Sequence, residues 1–176
     1  MKTAMPVVAV LLTVLAGCGD GADPADNSAE EGGENTVETV TADLSDPQVL
    51  GDMVAADYVN SIQEVVALCE PRPPADELKP RIDALFERYV DVFVGYGRYY
   101  QEMDAQQRAA VDSKMTNAFF SMGEDVFDRF SQAASHYSAL DTELGDRLRA
   151  FNIITQYYNY DLLREQEPEE AARLGL

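Results

Sequence analysis

Residues 78–103 read LKPRIDALFERYVDVFVGYGRYYQEM, and within them Leu78, Ile82, Leu85, Tyr89, Phe93, Tyr96, Tyr100 and Met103 follow one another at steps of three and four. Side chains so spaced share one face of an α-helix, so the stretch predicts a helix with a continuous apolar seam laid against other helices. The helix is expected from about Pro80, or from a short turn at Asp76, since proline is tolerated in a first turn, where its missing N–H has no partner to lose. Gly95 and Gly97 lie inside it at a cost of about 1 kcal/mol each relative to Ala. They are read as permitting close approach of a neighbouring element, with a bend as the other reading.

The same signals recur on both sides. Upstream, Ser45-Asp46-Pro47-Gln48 fits a capping box with Leu44 and Val49 as its hydrophobic staple. It opens a helix bearing Leu50, Val54, Tyr58, Ile62, Val65 and Cys69, ended by Pro71, Pro73 and Pro74. Downstream, Asp104 and Gln107 form a second box-like pair. They open a third helix with Val111, Met115, Phe119, Met122, Val126, Phe130, Ala133 and Tyr137 on one stripe. At roughly 33 residues that helix would outrun its partners by about 15 Å, so a kink near Ser121-Met122-Gly123, or an overhang, is expected. Asp141 is expected to cap a fourth helix with Leu144, Leu148, Phe151, Thr155, Tyr158 and Leu162 inward, and a short turn follows Pro168. No stretch alternates apolar and polar residues as a half-buried strand would. The expected fold is all-α, an antiparallel up-and-down four-helix bundle over residues 45–176.

Charge separates that region from what precedes it. Of the formal net charge of −19, Lys2 gives +1, residues 18–47 give −9 with no Lys or Arg among them, and residues 48–176 give −11. Residues 18–44 are rich in Gly, Ala, Asp, Glu, Asn and Thr and hold no aromatic residue. Such a composition cannot bury enough apolar area to offset ordering, so a disordered acidic tether is expected. Asp20, Asp23, Asp26, Glu30 and Glu31 lack the glycine and closing glutamate of a calcium loop at the required spacing. The acidic surface repels phosphate backbones and excludes nucleic acid as a partner.

At the start of the chain, Lys2 precedes an uncharged stretch from Thr3 to Gly17 rich in Val, Leu and Ala, the order of a secretory signal too short to span a bilayer comfortably. It ends in Leu15-Ala16-Gly17-Cys18, which resembles the lipobox of bacterial lipoprotein precursors. The resemblance covers only about the first twenty residues. It implies cleavage after Gly17, diacylglyceryl transfer to the Cys18 thiol and acylation of the new amino group. Residues 1–17 are then a signal peptide, and the lipid bilayer is a partner through acylated Cys18. The implied location is the cell envelope, facing the periplasm or the exterior. Lipidation of Cys18 would leave Cys69 as the only other cysteine, with no internal disulfide.

Catalytic chemistry finds little to work with. His136 is the only histidine. It lacks the Glu three positions earlier that a dimetal bundle needs, and no Cys-x-x-Cys-His haem attachment occurs. With no second imidazole, a nucleophile–base pair elsewhere has no histidine to use. Cys69 reads as a small core residue, and Glu124, Asp125 and Asp128 as a solvated face. No catalytic residue, metal site or cofactor is assigned, and the chain is not expected to be an enzyme. The remaining feature is tyrosine: adjacent residues such as Tyr99-Tyr100 and Tyr157-Tyr158 cannot both point straight into a core. Tyr96, Tyr99, Tyr100, Tyr157, Tyr158 and Tyr160 are therefore the candidate binding patch. The expected role is a non-enzymatic protein-interaction or scaffolding module binding an envelope protein. The alternative is a binder of a small apolar or aromatic ligand in a tyrosine-lined pocket. A closed core favours the first, and a cavity of several hundred cubic ångströms lined by tyrosine hydroxyls favours the second.

Overall fold

The structure, a computed structural model, describes residues 42–176; the signal segment, the lipobox Leu15-Ala16-Gly17-Cys18 and the acidic stretch as far as Thr41 lie outside the described residues. The described residues are all-helical, without a strand. They form α1 (Pro47–Cys69), α2 (Ala75–Glu102), α3 (Ala105–Ser121), α4 (Glu124–Leu140), α5 (Thr142–Ala150), a 3-10 segment (Phe151–Tyr158), α6 (Tyr160–Gln166) and α7 (Pro168–Arg173). No helix among them is long and apolar enough to cross a membrane.

The ends of these helices follow local chemistry. α1 is capped by Asp46, whose carboxylate accepts from the Gln48 N–H at 2.7 Å, and not by Ser45 as the capping-box reading expected. Pro47 is the reason: a residue before proline is driven into extended backbone, so position 46 must be the cap and proline the first helical residue. Ser45 instead donates from its N–H and hydroxyl to Asp43. α2 begins at Ala75, one residue before the Asp76 turn given as the alternative to Pro80; Pro80 lies inside the helix, and Leu78 in the preceding turn is fully buried. α3 carries the expected capping box, with Asp104 and Gln107 exchanging two bonds of 2.9 Å. Asp141 caps α5 through the Leu144 N–H at 3.0 Å.

Two of the expected four helices are broken. The third divides after Ser121, where Gly123 takes φ 88°, a conformation that L side chains rarely adopt. The fourth tightens into a 3-10 segment through Ile153-Ile154-Thr155, a β-branched run that favours α-helix poorly. With three residues per turn, the buried face runs Phe151, Ile154, Tyr157 and continues through Tyr160 and Leu163. Thr155 and Leu162, expected inward on a 3.6-residue period, are only partly covered.

Contacts give the direction of each pairing. Tyr89 and Arg88 reach Glu64 while Tyr96 reaches Asp57, so α2 runs against α1. Lys114 pairs with Asp52 and Arg129 with Glu70, so α3 followed by α4 climbs in the same sense as α1. Lys79–Glu143, Arg147–Asp83 and Tyr160 to the Val94 carbonyl place α5 and its continuation along α2 in the same sense as α2. One hydrophobic core joins them, with Leu44 packed against it from the start of the domain. Every residue of the 78–103 seam is buried within this core.

Candidate functional site

Five of the six candidate tyrosines are covered, from 2 % exposed at Tyr100 to 8 % at Tyr96, and only Tyr99, at 41 %, faces out. Their hydroxyls are all engaged. Tyr96 donates to Asp57 at 2.5 Å, Tyr157 to Glu170 at 3.1 Å, and Tyr160 to the Val94 carbonyl at 2.5 Å. Tyr100 and Tyr158 meet edge to face, ring centroids 5.0 Å apart, and share the Asp112 carboxylate at 3.0 and 2.9 Å. Tyr89 repeats the pattern on Glu64. Each bond ties two elements together by a charge-assisted or backbone acceptor, which stabilises by about 1–3 kcal/mol.

Burial, reinforced by the facing carboxylates, pushes the Tyr96, Tyr100, Tyr157 and Tyr158 hydroxyls well above the ordinary tyrosine range. They hold their protons and act as anchors, not as bases. Tyr99-Tyr100 splits into one outward and one inward ring. Tyr157-Tyr158 does not split, because the 3-10 segment is covered on both flanks. Phe86 and Glu170 cover Tyr157, and Tyr100 and Asp112 cover Tyr158.

Two open surface hollows, of about 470 and 390 Å³, border these rings. The first includes Tyr157 with Arg147, Glu170 and Arg173, and the second includes Tyr158 with Asp112. In each the single tyrosine hydroxyl is already committed, and the arginines of the first are paired with Asp83, Glu87 and Glu170. Neither hollow offers a free tyrosine hydroxyl to orient a small ligand.

A third hollow, of about 170 Å³, brings together residues that the sequence kept apart: Cys69 and His136, with Arg72 and Arg129 at its edge. Burial raises the Cys69 thiol to about 11, so it stays protonated at neutral pH and is a poor nucleophile. Arg129 is held by Glu70 and Asp125. Among the described residues no three His, Cys, Asp or Glu side chains come together in a way that could hold a metal ion.

The feature that the sequence reading missed is an aromatic corner at the α3–α4 break. Phe130 is in the core at 1 % exposure, and Phe127, partly buried, sits 6.3 Å from it. Phe119 lies 5.7 Å from Phe127 and is 44 % exposed; Phe120 lies 5.7 Å from Phe119 and is 78 % exposed. A chain of edge-to-face and tilted rings thus climbs from the core into solvent. Phe119, expected on the inward stripe, faces out in the last turn of α3, although Val111 and Met115 before it and Val126 and Phe130 after it keep to the core side. Isolated exposed apolar residues are ordinary, but adjoining phenylalanines of this exposure mark a surface that gains by being covered. No family model, curated protein or solved structure matches the chain.

Proposed function

We propose that the chain is a membrane-anchored envelope lipoprotein whose helical domain, a four-segment antiparallel up-and-down bundle, docks a protein partner through the Phe119–Phe120–Phe127 corner without enzymatic chemistry. Cys18 carries the lipid and residues 18–44 serve as the acidic tether. The directions of the helix pairings support the bundle, with α3–α4 and α5 with its continuation each counted as one broken segment. The observation that carries the docking role is the exposure of Phe120, 78 %, beside a Phe119 that is nearly half exposed, in a domain whose buried tyrosines, Tyr58 excepted, are committed to internal bonds. Aromatic anchors of this kind dominate interface energetics.

Of the tyrosines proposed from sequence as the patch, all but the exposed Tyr99 tie elements of the domain to one another. The small-ligand alternative, framed on a tyrosine-lined pocket, has less support, since neither tyrosine-bordered hollow has an uncommitted tyrosine hydroxyl.

Extraction of the protein from its native membranes in mild detergent tests both parts. Wild type is expected in a complex larger than a monomer, while the Phe119→Ser/Phe120→Ser variant is expected as a monomer of unchanged helical content. A monomeric wild type overturns the docking role. Cys18→Ala should appear in soluble or uncleaved form, and normal cleavage with full membrane retention overturns the tether.

A further inference from the structure

The corner carries more than apolar surface. Between Thr116 and Asp128 the chain has no Lys or Arg, while Glu124, Asp125 and Asp128, all exposed, follow the break directly. Asp125 has Arg129 at 3.5 Å, but that arginine is also claimed by Glu70. Among the described residues, neither Glu124 nor Asp128 has a cationic side chain within ion-pair distance; the nearest lysine in sequence, Lys114, is taken by Asp52 at 2.7 Å. The exposed phenylalanines of α3 are thus followed, across the break, by three exposed carboxylates in the first turns of α4, two of them without a cationic partner.

Resting on the docking role proposed above, we infer that the partner is a basic amphipathic protein segment, whose apolar side chains cover Phe119 and Phe120 and whose Lys or Arg residues face Glu124, Asp125 and Asp128. The charge decides between occupants. A second copy related by a two-fold axis would bring the same acids toward each other, on a region already at −11 over residues 48–176; like charges so placed oppose association. An anionic lipid surface is repelled for the same reason. A cationic segment instead gains steering toward the site and neutralises Glu124 and Asp128, which have no internal cation within ion-pair distance, and Asp125, which shares Arg129 with Glu70.

Synthetic amphipathic peptides are the probe: one of Leu and Lys, and a second in which every Lys is replaced by Glu. Each is titrated by fluorescence anisotropy into the full lipidated chain held in phosphatidylcholine nanodiscs, with empty discs as the blank. The Leu/Lys peptide is expected to bind wild type about tenfold or more tighter than it binds Phe119→Ser/Phe120→Ser, a difference of about 1.4 kcal/mol or more. The neutral variant Glu124→Gln/Asp125→Asn/Asp128→Asn should fall between wild type and the lysine variant E124K/D125K/D128K, which should prefer the Leu/Glu peptide. Leu/Lys binding that is indifferent to the phenylalanines, equal binding of both peptides to wild type, or no binding of either overturns the inference. The docking role fails separately, through a monomeric wild type in the detergent extract. A native complex that survives charge reversal but not loss of the phenylalanines leaves that role standing and removes the basic partner.

Discussion

Gly97→Ala is expected to destabilise the domain by about 2–4 kcal/mol, whereas Gly95→Ala two residues earlier should stabilise it by up to about 1 kcal/mol. A Cβ on Gly97 would lie 2.2 Å from Tyr160 Cε1, 2.6 Å from its Cζ and 2.9 Å from the Tyr158 carbonyl oxygen. The Tyr160 ring cannot swing aside freely, because its hydroxyl is fixed on the Val94 carbonyl, one turn back on α2. The Tyr158 carbonyl is backbone and cannot rotate away. Overpacking and the strained or broken hydrogen bond therefore outweigh the helix propensity gained. At Gly95 nothing lies within 4 Å, so only the propensity gain remains. Denaturant midpoints of the two variants check this, and a Gly97→Ala protein as stable as wild type would show that α2 and the Tyr158–Tyr160 turn do not meet closely. Of the two readings the sequence left for these glycines, close approach holds for Gly97 alone.

Alkaline pH should unfold the domain steeply from about pH 10 upward. Eight of the nine tyrosines have hydroxyls raised above their ordinary value, with burial the first cause in every case. Below pH 10 these groups are protonated in both folded and unfolded chains, and their contribution is fully present. Above it the unfolded chain releases protons that the folded chain keeps, so stability falls as pH rises toward the folded values. Each group that lags removes about 1.4 kcal/mol per pH unit. Four such groups over one unit remove about 5 kcal/mol, the lower end of the stability of a typical domain. A spectrophotometric tyrosine titration followed alongside helical circular dichroism should show most phenolate appearing together with helix loss. Smooth ionisation of most tyrosines with the helices intact would contradict their placement.

Periodicity made α2 legible residue by residue, since an uninterrupted helix keeps its 3.6-residue phase from Leu78 to Met103. Asp104 and Asp141 were readable as caps because capping is local chemistry, and the length mismatch of the third segment foretold the break that Gly123 makes. The stripe carried across the break held for Val126, Phe130, Ala133 and Tyr137. It failed at Phe119, in the last turn of α3, and at Thr155, counted onto an α-helix that is a 3-10 segment. The tyrosine partners were hidden for a different reason: Asp112 is 46 residues from Tyr158, and Asp57 39 from Tyr96, so only folding reveals that these carboxylates consume the hydroxyls. The signal for the aromatic corner was nonetheless present. Phe119 and Phe120 are adjacent, and the reasoning that adjacent large rings cannot both face inward, applied to the tyrosine pairs, holds equally at an expected kink.

A photo-activated crosslinker placed at position 120 of the protein in its native host probes whether the proposed docking corner is covered by a partner. One dominant crosslinked protein is expected from position 120 and none from the same group placed at Glu165, an exposed residue of α6. No crosslinked species from position 120, or the same species from both positions, would contradict the docking role.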